Sequence, residues 1–444
     1  MNFSNTPRLP ITVHPVRNIN ADLDIPGDKS ISHRSVILGS LAQGETRIIN
    51  FLESEDCLNT IECFKKMGIS INSSKDKKEL TIIGKGLYGL SAPRETLYVG
   101  NSGTAIRLML GILAAQKFDS VITGDASICT RPMGRVIKPL QLMGANILAL
   151  NEDKSLLAPL KVLGNQKVKG ITYEMPMASA QVKSAIMLAG LYTPEKTVIV
   201  EPGPARDHSE RMLRQFGVDV NVSHNVIELT GGRELSSQDI KVPSDISSAA
   251  FFIVAALIVP GSKIVLPRIG INPTRTGILD VLQEMGAKIT LHNIDRSSCE
   301  PVADIEVVSS QLKGINIEGS VIPRIIDEIP IIAVAAAVAE GKTVISGAEE
   351  LRYKESDRIA TICKELTKFG THIVEKEDGL IIEGARDDLK GAVCKSHGDH
   401  RIAMSCAILA LVSKGNSCIE DVDCINTSFP RFFPLFERLL EFNY

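Results

Sequence analysis

Tryptophan is missing from this chain, and aromatic residues of every kind amount to only 4%. That leaves too few flat rings for a surface that stacks single-stranded nucleic acid. The formal net charge is −3, so the broad basic footprint that duplex binding needs is absent as well. The nine cysteines are scattered and odd in number, with no C-x-x-C pair and no histidine partner at zinc spacing. They read as reduced thiols of a cytoplasmic protein rather than a disulfide frame or a metal site. The start, MNFSNTPRLPITVHPV, has no apolar stretch of signal-peptide length. The longest apolar runs, residues 246–260 and 329–339, are rich in alanine and too short to span a bilayer. Two buried helices are expected there.

What is present is a repeated pattern. The 444 residues are too many for one ordinary core and point to two domains. A polar or glycine-containing loop feeds an Ala/Ile/Leu helix, which closes on Gly or Pro before a β-branched strand. The loops are PGDKSIS at 26, GNSGTAI at 100, PMASAQV at 176, PSDISSA at 243, PRIIDEI at 323 and SHGDHRI at 396. A second amphipathic helix often follows, as in RPMGRVIKPLQLMGANI and NPTRTGILDVLQEMGAKI, and ends in a glycine C-cap before a short strand. Each unit therefore reads β-α-β-α-β-β, three units per domain. The expected domains are residues 1–27 plus 245–444, and residues 28–244.

The unusual residues gather where each first helix begins: Lys29, Ser30, His33 and Arg34; Asn101, Thr104 and Arg107; Ser179, Gln181 and Lys183; Asp245; Asp327 and Glu328; His400 and Arg401. Helix starts carry partial positive charge and favour acids. Bases placed at such a pole make sense when the ligand is a polyanion. Arg supplies a planar fork to a carboxylate or phosphate, and Lys a compact charge.

Each of these residues also has a plainer reading. Lys29, Ser30 and Arg34 fit a solvated surface as well as an anion site. GNSGTAI lacks the Lys-Ser/Thr of a P-loop, although Gly103 would let a ligand approach the backbone. Arg131, before Pro132, is an ordinary turn residue or a ligand contact. Asp327 and Glu328 are helix caps or supply a general base. Lys354, Glu355 and Arg358 form a site or a surface lattice, with Lys354 and Arg358 four apart on one helix face. The H-x-x-H of His397 and His400 lacks an acidic ligand at metalloprotease spacing, and no metal is expected.

Taken together the motifs resemble the 5-enolpyruvylshikimate-3-phosphate synthases over nearly the whole chain. The resemblance rests on PGDKSISHR, GNSGTAIR, Arg131-Pro132, ASAQVKSA, RDHSERML, DEIPIIAVAAA, ELRYKESDR, DHRIAMS and TSFPRFF, in that order. It implies an α/β fold of two globular domains, each of three βαβαββ units in an inside-out α/β barrel arrangement, with the active site in the interdomain cleft. The halves are expected to close when ligands bridge them. The implied reaction moves the enolpyruvyl group of phosphoenolpyruvate to the 5-hydroxyl of shikimate 3-phosphate and releases phosphate, in the shikimate pathway of aromatic amino-acid biosynthesis.

By the same resemblance, shikimate 3-phosphate would be held by Lys29, Ser30, Arg34, Ser179, Ala180, Gln181, Arg206, Asp327 and Lys354. Phosphoenolpyruvate would be held by Lys29, Gly103, Arg131, Gln181, Arg358 and Arg401. Asp327 would take the hydroxyl proton, and Glu355, assisted by Lys29, would protonate the methylene. No cofactor and no metal are implied, and the partners are these two small molecules, with no nucleic acid or membrane. A cytoplasmic monomer is expected. Two features depart from the pattern: Thr427 stands where the family often has a phosphoenolpyruvate-contacting lysine, and Ala180 replaces a phosphate-binding serine. The sister enolpyruvyl transferases acting on UDP-N-acetylglucosamine usually carry a loop Cys shortly before their Arg-Pro pair. Ala126 stands at that place here, and Ser30 interrupts their Lys-Asn pair. A non-catalytic polyanion-binding repeat protein is the remaining alternative, and acids such as Asp327 and Glu355 would only weaken its binding.

Overall fold

The computed structural model describes residues 10–74, 78–152 and 155–440. The first nine residues, part of the stretch expected to lack a signal peptide, fall outside them. The chain divides into two compact units. Unit 2 is Gly27–Val242, and unit 1 combines the chain up to Pro26 with everything from Pro243 onward.

The two units are organised alike, each around three inner helices. In unit 2 these are α1 (Lys29–Leu41), α2 (Gly103–Leu113) and α3 (Ala180–Gly190). In unit 1 they are α4 (Ile246–Ile258), α5 (Ile329–Val338) and α6 (His400–Ala410). Every residue of α4 and α5 is buried, as their unbroken apolar sequences require. Small residues allow close packing in the middle. A Cβ on Gly111 of α2 would fall 2.2 Å from the Ala185 carbonyl oxygen of α3, so that crossing tolerates only glycine.

Six small sheets surround these helices among the described residues. The sheet after α2 shows the common plan. Its spatial order is Leu97–Tyr98, Ser120–Thr123, Leu160–Leu163, Asn146–Ala149, with the first pair parallel and the others antiparallel. Ser120 faces Val162 and Ile122 faces Leu160 in the central pair. Strands alternate buried residues with half-buried or exposed ones, so one face packs on the helices and the other is more open to solvent. The second helices, such as Gly134–Leu142 and Gly277–Glu284, end before Gly144 and Gly286 at φ +102° and +98°. That is the left-handed cap their glycines foretell.

Three sheets borrow a strand from far away in sequence. In unit 2, Ile240–Lys241 runs parallel to Ala42–Ile49 and so returns to the first sheet. In unit 1, Asn20–Asp22 pairs with Lys263–Gly270, and Ile11–Val13 pairs with Ser417–Glu420. The last sheet has three strands, because a 3-10 turn (Val422–Thr427) and a helix (Phe432–Leu440) follow where the other repeats have a helix and a hairpin. The TSFPRFF segment is part of the core here. Phe429 and Phe432 pack on Phe252 of α4 with ring centroids 6.1 and 5.8 Å away.

All nine cysteines are free thiols. No helix among the described residues is long and apolar enough to cross a membrane.

Candidate active site

Asp28 ends α1 at its N-terminus by accepting from the Ile31 amide at 2.9 Å. With the cap in place, Lys29, Ser30 and Arg34 occupy the first two turns, and no acid lies in the first turn. Lys29 reaches the Asp56 carboxylate at 3.0 Å. Arg34 is only 5% exposed. Its guanidinium donates to the hydroxyls of Ser184 in α3 and Ser209, both at 2.8 Å, and to the Ser30 carbonyl at 3.0 Å. His33 does not join the cations. Burial, with Lys29 and Arg34 beside it, pushes its pKa down to about 3, so at neutral pH it is an uncharged ring against Thr60 and Ser102.

Ser102 and Ser179 cap α2 and α3 in the same manner. This puts Gly103 and Ala180 at the first helical positions and Gln181 one residue further. Gln181 joins the two helix starts, accepting from Arg107 at 2.6 Å and donating to Thr104 at 3.0 Å. Arg131 follows the short helix Ala126–Thr130 and donates to Asn101 at 2.5 Å and Ser127 at 2.9 Å. A Cβ on Gly103 would meet the guanidinium nitrogens of Arg107 and Arg131 at 2.9 and 3.4 Å. Bare backbone at residue 103 therefore lies between two cationic side chains. Arg206 is half-buried in the loop just ahead of the helix His208–Gln215. Lys183, grouped by sequence with this mouth, is 1% exposed and forms ion pairs in the interior with Glu201 and Glu210 at 3.0 and 2.6 Å.

The unit 1 group is built around Arg358, which is 1% exposed. Its guanidinium contacts Asp399 at 2.7 Å, Glu355 at 2.6 Å and Asp327 at 3.4 Å. Burial opposes its charge, but those three carboxylates outweigh it and raise its pKa further. Lys354 lies 3.8 Å from Asp327 and 3.0 Å from Glu350. Arg401, in the first turn of α6, donates to the Asp327 carbonyl at 2.6 Å. Asp399 both caps α6 and holds Arg358.

Two expectations change at this group. Lys354 and Arg358 do not share a helix face, because the helix begins at Arg358 with Asp357 as its cap. Lys354 instead ends a 3-10 turn. Glu328 occupies the cap position of α5 but makes no capping bond. Two contributors escaped the sequence reading, Asp56 and Asp399 as the counterion of Arg358, and Arg107 was placed at its helix start without its bond to Gln181. Arg107 carried a signal, being one helical turn after Gly103. Among the described residues no cluster of three or more His, Cys, Asp or Glu is arranged to hold a metal ion.

Known proteins resemble this chain over nearly its whole length. The family model for EPSP synthase (3-phosphoshikimate 1-carboxyvinyltransferase) matches residues 13–436. The chain belongs to the EPSP synthase family. It is 52% identical over 429 residues to the 3-phosphoshikimate 1-carboxyvinyltransferase of Bacillus cereus strain ATCC 10987, covering 96% of this chain and 99% of that one. Its identity to the Geobacter metallireducens protein of the same name is also 52%, over 96% and 98% of the two chains. Among solved structures, an EPSP synthase from Acinetobacter baumannii superposes with a TM-score of 0.86 at 48% identity, covering 96% of this chain and 97% of the other. Thr427, expected to depart from the family pattern, ends the 3-10 turn Val422–Thr427. Its hydroxyl turns back to the Cys424 carbonyl at 2.7 Å.

Proposed function

We propose that this chain is an enolpyruvyl transferase. It joins phosphoenolpyruvate to the 5-hydroxyl of shikimate 3-phosphate and releases inorganic phosphate, within aromatic amino-acid biosynthesis. The observation that carries the reading is the meeting of two carboxylates, Asp327 and Glu355, on the single buried guanidinium of Arg358. Addition of an alcohol to an enol ester needs one group to remove a proton and another to deliver one. Each such transfer contributes typically ~10²–10⁴-fold in rate.

In the addition step Asp327 takes the hydroxyl proton as the oxygen bonds to the central enol carbon. Glu355, assisted by Lys29, delivers a proton to the methylene, which becomes a methyl group. In the elimination step the methyl returns that proton and the carbon–oxygen bond to phosphate breaks. Lys354 steadies the reacting hydroxyl. Lys29, Ser30, Arg34, Ser179, the Ala180 backbone, Gln181 and Arg206 take shikimate 3-phosphate. Lys29, Gly103, Arg131, Gln181, Arg358 and Arg401 take phosphoenolpyruvate. Two phosphates at about −1.5 to −2 each, with two carboxylates, are met by Lys29, Arg34, Arg131, Arg206, Lys354, Arg358 and Arg401. The enzyme acts as a cytoplasmic monomer.

The test is phosphate release from the purified protein with both substrates, with UDP-N-acetylglucosamine as the control acceptor. Release with the UDP-sugar alone reverses the reading. Asp327→Asn is expected to lower kcat by about 10²–10⁴-fold with little change in either KM. A loss confined to KM makes Asp327 a binding group instead.

A further inference from the structure

Glu328 is left over from the account above. It follows the proposed base, is 0% exposed, and declines the capping role that its position offers. Its Oε1 instead accepts from the Ser247 hydroxyl of α4 and lies 3.6 Å from the Arg401 guanidinium of α6. Its Oε2 is buried with no hydrogen-bond partner. A carboxylate in that condition costs stability unless a cation offsets it. Arg401 needs the converse, because it is a cation in the first turn of a helix with no acid in that turn. The two residues relieve each other.

The elements behind them are equally ordered. Arg275 donates to Ser247 at 2.7 Å and contacts Asp245, the cap of α4, at 3.2 Å. With Arg275 donating to its oxygen, Ser247 directs its one proton to Glu328. Arg401 is thus held at two points by consecutive residues, the Asp327 carbonyl and the Glu328 carboxylate. The orientation of the guanidinium is set by these two contacts.

We propose that Glu328 is a positioning residue for phosphoenolpyruvate capture, fixing the Arg401 fork and itself aligned by Ser247 and Arg275. The inference rests on the assignment of Arg401 to phosphoenolpyruvate. Glu328→Gln keeps the volume and an acceptor for Ser247 while removing the charge. The expected result is a rise of about tenfold in KM for phosphoenolpyruvate, with KM for shikimate 3-phosphate within about twofold of the parent. Ser247→Ala should move the same constant in the same direction by about threefold. In an Arg401→Lys background the effect of Glu328→Gln should vanish, since the fork it aligns is gone. An unchanged phosphoenolpyruvate constant in folded Glu328→Gln, an equal rise for both substrates, or a full effect persisting beside Arg401→Lys overturns the proposal. Should Glu328→Gln fail to fold, Ser247→Ala decides by the same criteria. If Arg401→Lys alone leaves that constant unchanged, the assignment of Arg401 falls and the inference falls with it. If Arg401→Lys raises it and Glu328→Gln does not, only the inference falls.

Discussion

The two units present the same architecture but orient their helix-start arginines with different partners. In unit 2, Arg34 and Arg107 are oriented by hydroxyl and amide groups of Ser184, Ser209 and Gln181. In unit 1, Arg358 and Arg401 are oriented by Asp399, Glu355, Asp327 and Glu328. A neutral acceptor fixes a guanidinium without offsetting its charge, which suits the anion-binding role proposed for this mouth. A carboxylate fixes it and also supplies a site for a proton. One scaffold, used twice, thus fixes these guanidiniums with neutral acceptors in one unit and with carboxylates in the other.

The largest test of this contrast is Lys29→Met, which removes the cation assigned to both ligands. Turnover should fall by on the order of 10³-fold or more while the protein still folds, and normal turnover excludes Lys29 from the site. Next comes a matched pair in stability. Asp399→Ala leaves buried Arg358 without its fully buried counterion and should cost about 3–5 kcal/mol in a denaturant titration. Ser209→Ala, removing a hydroxyl from Arg34, should cost only about 1 kcal/mol. Equal losses would erase the distinction between the units. Arg34→Ala should raise KM for shikimate 3-phosphate by about tenfold and that for phosphoenolpyruvate by less than about threefold. A parallel rise removes its assignment to one substrate.

The smallest effect concerns His33. Its pKa is lowered in the folded protein to about 3, so the unfolded chain takes up the proton first as pH falls. Stability should therefore decline from about pH 6.5 downward, by at most about 1.4 kcal/mol per pH unit from this group. Denaturant midpoints at pH 7, 6 and 5 should show a shallower slope in His33→Gln. An identical slope means that His33 is not the group responsible.

Local features of the fold were readable from the sequence. The apolar α4 and α5 segments and the glycine after each second helix are short-range signals, governed by burial and by left-handed backbone. The helix starts of the site were readable for the same reason, since Lys29, Gln181, Asp327 and Arg401 sit beside loops that mark themselves. Partners were not. Arg34 meets Ser209 across 175 residues, and Ser247 meets Glu328 across 81. No periodicity encodes such pairings. Charge state was hidden too, because His33 looks like a base until its burial is known. Lys183 resembles a ligand contact until Glu201 and Glu210 are found around it. The i,i+4 spacing of Lys354 and Arg358 misled because Asp357 starts the helix between them.

The two N-terminal strands impose an order of assembly. Ile11 pairs with Ile419 and Asn20 with Lys263, whereas unit 2 draws every strand from within its own span. At roughly 5–20 residues per second, a ribosome needs on the order of half a minute or more to supply the last of those partners. Unit 2 is complete on the emerging chain while the segment ahead of it still has an open β edge. Proteolysis of stalled nascent chains should therefore find residues 27–242 resistant before residues 11–22, and simultaneous protection would contradict that sequence of events.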